Sequence, residues 1–274
     1  TVKKRYSSPL HIPALSDIVY ADIKCSFKNY IWKFLKSAHF IFRRKKPMRF
    51  PIGGKLMKGK VKDPGSALTH FIAMILACLA AVPLLIKAAS VPGMLHVTAL
   101  SIFIVSMILL YAASTIYHTF NISEHVNKIL RKIDHMMIFI LIAGTYTPVC
   151  LIILGDGSGY RLLALVWGIA IVGIIINALW INCPKWFSSL IYIAMGWVCV
   201  TAIRQIVAAL TPAAFGWLLA GGIIYTIGGV IYALKLPIFN SKHKNFGSHE
   251  IFHLFVMGGS FCHYVMMYGY VAAA

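Results

Sequence analysis

Seven apolar runs, each near the roughly 20 residues that carry a helix across a bilayer, restrict this chain more than any other feature. They extend approximately from Ser66 to Ile86, Met94 to Phe120, Ile133 to Leu154, Arg161 to Ile181, Trp186 to Ile206, Phe215 to Leu234 and His249 to Val271. Hydrocarbon offers no partner to a free backbone N–H or C=O, so each run must close its hydrogen bonds within itself as a helix. Apolar residues make up 59% of the chain and charged ones only 12%, a balance that a water-soluble domain of this length would not keep in solution. The expected fold is all-α, a polytopic bundle of seven transmembrane helices. Its connections are short and carry stop signals at Val91-Pro92-Gly93, Gly155-Asp156-Gly157, Cys183-Pro184 and Thr211-Pro212.

The charges orient the bundle. Lys128, Arg131 and Lys132 follow the second run, Lys185 the fourth, and Lys235, Lys242 and Lys244 the sixth; the alternate connections hold little beyond Lys87 and Arg161. Basic loops stay inside, so a cytoplasmic N-terminus and an external C-terminus are expected. Arg204 then lies near the outer end of the fifth run, where its head group can snorkel to the interface. The net charge of +19 invites a nucleic-acid reading, but sixteen of the 26 Lys and Arg residues precede Asp63. The partners expected are membrane lipids and no nucleic acid. Residues 1–62 form a basic N-terminal arm and residues 63–274 the membrane domain. Two readings of the arm stand. With Trp32, Phe34, Phe40 and Phe42 it suits the anionic cytoplasmic leaflet as an amphipathic segment. Alternatively, Gly53-Gly54-Lys55-Leu56-Met57 is what a purine-rich ribosome-binding sequence encodes when translated in frame, which makes Met57 the natural start.

Polar residues are rare in the runs, and the rare ones meet at one depth. His249 and His253, four apart, share one face at the mouth of the seventh run. Ser114 and His118 do the same at the inner end of the second. Asp134 and His135 are expected in the first turn of the third. Three neutral imidazoles, His118, His249 and His253, suit Zn2+ and leave a fourth position for water, the arrangement of a catalytic zinc. Asp134 is the candidate to hold that water and take its proton, and Ser114 the candidate to donate a hydrogen bond to a substrate carbonyl. A polar cluster that merely binds helices together is the blander alternative.

The string His249-Glu250-Ile251-Phe252-His253 also satisfies the zinc-peptidase pattern with Glu250 as base. That reading needs a third ligand beyond His253, where only His263 occurs, and Asp156 lies at the opposite face. Among the remaining polar residues, His70 is a supporting partner of the site or an ordinary interface histidine, and His135 points about 100° away from Asp134. His263 is too deep for the metal layer and faces a substrate or a neighbouring helix. Asn177, Tyr111, Tyr146 and the glycines Gly221, Gly222, Gly228 and Gly229 read first as packing devices, while Gly144-Thr145-Tyr146-Thr147-Pro148 predicts a kink in the third helix. The six cysteines are scattered without paired spacing and indicate neither a disulfide framework nor a thiolate metal site.

With these residues in place, the chain resembles the haemolysin III family of bacterial membrane proteins, relatives of the progestin and adipoQ receptors that include the adiponectin receptors. The resemblance runs from about Asp63 to the C-terminus. It rests on Asp63-Pro64-Gly65-Ser66-Ala67-Leu68-Thr69-His70, Ser114-Thr115-Ile116-Tyr117-His118, Ile133-Asp134-His135, Ala143-Gly144-Thr145-Tyr146-Thr147-Pro148 and Phe246-Gly247-Ser248-His249-Glu250-Ile251-Phe252-His253-Leu254-Phe255. It implies zinc on His118, His249 and His253, water held by Asp134, a multi-pass protein of the bacterial inner membrane, and no required role for Glu250. The chemistry it implies is hydrolysis of an amide or ester in a lipid, shared in residue logic with the alkaline ceramidases. Two other classes stay open, a receptor or stress sensor with structural zinc and a membrane-perturbing haemolysin.

Overall fold

A computed structural model describes residues 61–180, 184–234 and 247–274. Residues 1–60 of the basic arm, Cys183, and the stretch holding Lys235, Lys242, Lys244 and Phe246 lie outside the described residues. Helix α1 spans Pro64–Ala89, α2 Leu95–Thr119, α3 Glu124–Pro148, α4 Gly157–Leu179, α5 Lys185–Gly196, α6 Ile203–Ala209, α7 Pro212–Leu234 and α8 Ser248–Met266. The described residues make seven helical spans long and apolar enough to cross a membrane, with α5 and α6 together supplying the fifth.

Local chemistry sets the helix ends. Pro64 opens α1, where its missing N–H costs nothing. Ser123 caps α3 by accepting from the Val126 N–H at 3.2 Å. Asp156 caps α4 by accepting from the Ser158 and Gly159 N–H groups at 2.8 and 3.0 Å.

Because of that cap, α3 begins at Glu124 and not near Ile133. Asp134 and His135 therefore sit about three turns inside the helix instead of in its first turn. The added turns are polar and are supported from outside the hydrocarbon pattern. Lys128 pairs with Glu124 at 2.7 Å, and Lys132 donates to the Ala178 carbonyl at 2.6 Å.

Past Pro148, α3 relaxes into a π-helical turn over Val149–Leu154 that ends at Gly155, whose φ of 57° is left-handed. The α-helix runs unbroken through Gly144-Thr145-Tyr146-Thr147-Pro148, where a kink is expected, and departs from α geometry only after Pro148. The fifth span is also broken, by a 3₁₀ turn over Val198–Ala202. The Tyr146 hydroxyl spans the break. It donates to the Gly196 carbonyl at 2.6 Å and accepts from the Cys199 N–H at 2.9 Å, so the interrupted ladder keeps partners where hydrocarbon would offer none. Tyr146 is thus more specific than a packing residue.

Helix α2 packs between α1 and α3, while α8 packs on α7 and α1. Leu100, Phe103, Ile104, Tyr111 and Phe139 are buried at the centre. Leu76, Leu79, Leu165, Val172, Leu179 and Phe261 are exposed on the outer faces, a surface that water would not tolerate and hydrocarbon matches.

Candidate metal centre

The ends of α1, α2 and α8 that carry Asp63, His118 and His249 come together, and with them the three imidazoles of His118, His249 and His253. His118, His249 and His253 each offer one ring nitrogen, and these atoms lie within 4.8 Å of one another. The His118 and His249 Nε2 atoms are 3.2 Å apart. Ligand atoms around a tetrahedral ion with bonds of about 2.0–2.1 Å are separated by a little over 3 Å, so this spacing is that of two ligands on one ion.

The outward nitrogens fix which atoms remain for a metal. His118 Nδ1 lies 3.0 Å from Asp63 Oδ2, an acceptor with no proton of its own when ionised. That hydrogen bond also holds the Asp63 carboxyl below the ordinary carboxylate range. His253 Nδ1 lies 3.2 Å from Thr69 Oγ1. The single Thr69 proton is already directed at the Ser66 and Gly65 carbonyls at 3.0 and 3.1 Å, so Thr69 accepts and His253 donates. Both imidazoles then carry hydrogen on Nδ1 and keep a lone pair on Nε2. These tautomers leave His118 and His253 able to ligate through Nε2, and together with His249 the donor set fits a metal ion.

Asp63 and Thr69 escaped the sequence reading as parts of the site. A signal for Asp63 existed, since the chain has only seven Asp and Glu residues and one of them abuts the first run. Replacing Asp63 by alanine is expected to lower metal affinity about 10- to 100-fold without unfolding the bundle, the usual cost of removing an outer partner of a metal-binding histidine. Metal titration of the purified variant measures this, and an unchanged affinity would detach Asp63 from the site.

Ser114 and Asp134 are brought to the same place from α2 and α3. With His70, His249 and His253 they line a cavity of about 20 Å³, room for about one water. Ser114 faces the Asp134 carboxyl, yet its buried Oγ makes no well-formed hydrogen bond among the described residues. His70 is drawn in more closely than its sequence position suggests. Its ring stacks on His253 at 3.6 Å between centroids and meets Tyr111 edge-on at 5.1 Å. His135 reaches the cavity wall and lies 3.2 Å from the Tyr232 hydroxyl through Nε2.

Glu250 is directed elsewhere. Its Oε1 accepts from Ser66 at 2.6 Å and its Oε2 from the Gly247 N–H at 2.8 Å, which ties the start of α8 to the start of α1. A second cavity, of about 180 Å³ and walled mainly by apolar side chains, shares Leu110, Ile138, Tyr232, Phe252 and Val256 with the small polar one. An apolar chamber therefore adjoins the polar site. Cys78, Cys150, Cys199 and Cys262 are free thiols.

Residues 59–264 match the sequence profile of a family described as Haemolysin-III related. The chain belongs to this family. It is 39% identical over 199 residues to Hemolysin-3 of Bacillus cereus, covering 73% of this chain and 87% of that protein. It is 37% identical over 199 residues to the Hemolysin-3 homolog of Bacillus subtilis (strain 168), covering 73% and 89%. A more distant likeness, 25% over 264 residues, reaches the Adiponectin receptor protein of Drosophila melanogaster, covering 88% of this chain and 58% of the fly protein. Family and helices together make this an all-helical, multi-pass membrane protein with a three-histidine site able to bind a metal ion.

Proposed function

We propose that this haemolysin III protein is a zinc-dependent hydrolase of lipid amide or ester bonds. The observation that carries the reading is the shared wall between the His118, His249, His253, Asp134 and Ser114 site and the apolar chamber, which sets a polar reaction centre beside room for an acyl chain. Zinc suits three neutral imidazoles, and when bound it supplies a Lewis acid that lowers the pKa of water toward about 7. The rest of the chemistry belongs to the chain. Asp134 is buried and accepts the proton of the attacking water, while Ser114, buried beside it, donates to the substrate carbonyl oxygen. Glu250 supports the peptidase alternative poorly, because both its oxygens are held by the starts of α1 and α8.

The membrane domain, residues 63–274, is placed in this proposal in the bacterial inner membrane. Its orientation is a cytoplasmic N-terminus and an external C-terminus, supported by the basic residues Lys128, Arg131 and Lys132 between α2 and α3. An impermeant thiol reagent added outside should label a cysteine introduced beside Ala274 and miss one beside Lys128. The reverse pattern would turn the site to the outer face.

The function itself is tested by fatty-acid release from a panel of lipid amides and esters by the purified protein. Release that stops on chelation and returns with zinc supports the hydrolase. A protein that holds its metal and releases nothing from any lipid moves the case to a receptor or stress sensor with structural zinc, a reading that the likeness to the fly adiponectin receptor protein favours.

A further inference from the structure

Ten residues beyond His253, or about 15 Å along α8, a second set of polar groups lies in the apolar part of the bundle. Tyr111 on α2 donates its hydroxyl to Ser260 Oγ at 2.7 Å, and Tyr225 on α7 lies 2.8 Å from the same oxygen. This triad of hydroxyls holds one proton more than its contacts use. Three hydroxyls supply three protons, and the two contacts consume two of them. Either Tyr225 donates and Ser260 keeps a proton without an acceptor, or Ser260 donates and Tyr225 keeps one.

His263 stands beside the chain with its ring stacked on Tyr225 at 5.4 Å between centroids. It is 5% exposed, forms part of the chamber wall, and its Nδ1 is enclosed without a hydrogen-bond partner among the described residues. Its place is purpose-made in packing terms. A Cβ at Gly221 would lie 2.7 Å from His263 Nε2, and one at Gly259 would lie 2.6 Å from the Tyr225 ring, so both neighbours must be glycine for the two rings to sit as they do. An unsatisfied hydroxyl proton and an unpartnered imidazole are expensive in an apolar interior, and a chamber that needed only to hold an aliphatic chain would line this wall with leucine and phenylalanine.

We propose that Tyr225 and His263 form a second recognition point that binds an uncharged hydroxyl carried part-way along the chain of the lipid in the chamber. A hydroxyl is the matching group, because it accepts the spare proton of the Tyr225–Ser260 pair and still has a proton for, or a lone pair toward, the imidazole. The chamber thereby distinguishes mid-chain hydroxylated lipids from plain aliphatic ones, a selectivity separate from the bond cleaved at the metal. The proposal rests on the reading of the chamber as a lipid-chain site, and its test uses binding without turnover.

Purified protein in detergent is titrated with stearic acid and with a stearic acid hydroxylated at mid-chain, and the two affinities are compared. The expected result is about fivefold tighter binding of the hydroxylated acid, the yield of one net hydrogen bond. Tyr225→Phe and His263→Phe should each bring the affinities for the two acids together, and an unchanged melting temperature reports that the variants are folded. Equal binding of the two acids by the unaltered protein overturns the proposal and leaves the lipid reading intact, and that comparison decides alone should a variant fail to fold. A preference that survives in both variants also overturns it. Binding of neither acid removes the proposal and the lipid reading together.

Discussion

His253→Ala is expected to strip the protein of its metal. Purified from cells, the unaltered chain should carry about one zinc per chain, and the variant should bind it at least a hundredfold more weakly. Loss of an inner ligand exceeds the 10- to 100-fold typical of an outer partner. The assembly of the site is the reason. His253 is 2% exposed, its Nδ1 is engaged by Thr69, and its ring lies 4.5 Å from that of His249 and 5.2 Å from that of His118 between centroids. Its remaining nitrogen has no comparable alternative among the described residues except the centre of the cluster. His118→Ala and His249→Ala should behave alike, and His263→Ala should keep its zinc. Elemental analysis of the four variants separates them. Full occupancy in all three ligand variants would place the metal elsewhere.

The helices were legible in the sequence because lipid reduces the choice of structure to one. Any run of about 20 apolar residues must be helical there, and six of the seven spans follow the hydropathy to within a few residues. The third began earlier than expected because Glu124 to Lys132 form polar turns, stabilised by a Ser123 cap and a Lys128–Glu124 pair that hydropathy does not count. The break after Gly196 was invisible for a related reason. The residues remain apolar through it, and what makes it tolerable is a hydroxyl from Tyr146, fifty residues away.

The histidine layer could be read from spacing alone, since i and i+4 share a face and two such pairs had to lie at one end of the bundle. Spacing says nothing about rotation of one helix against another. That rotation decides that His70 stacks on His253, that Asp63 holds His118, and that Glu250 turns toward Ser66 instead of the cavity.

Rotation also sets the sharpest expectation about catalysis, which compares two carboxylates near one metal site. Asp134 lines the small cavity with Ser114, His249 and His253, whereas Glu250 is spent on Ser66 and the Gly247 N–H. Asp134→Asn keeps the volume and polarity of the side chain but cannot take a proton, so it should retain its zinc and lose about 100-fold or more of the hydrolysis rate. Glu250→Gln keeps an acceptor for one of its two partners and should leave the rate within a few-fold of the unaltered protein. Zinc content and initial rates on the same lipid, measured for both variants, distinguish three mechanisms. Loss in Asp134→Asn alone supports the assignment made here. Loss in Glu250→Gln alone, with zinc retained, would transfer the base to Glu250 and restore the peptidase pattern. If chelator-sensitive hydrolysis is unmoved by either change, the metal-dependent rate needs neither carboxylate, and the assignment of Asp134 as the base is overturned.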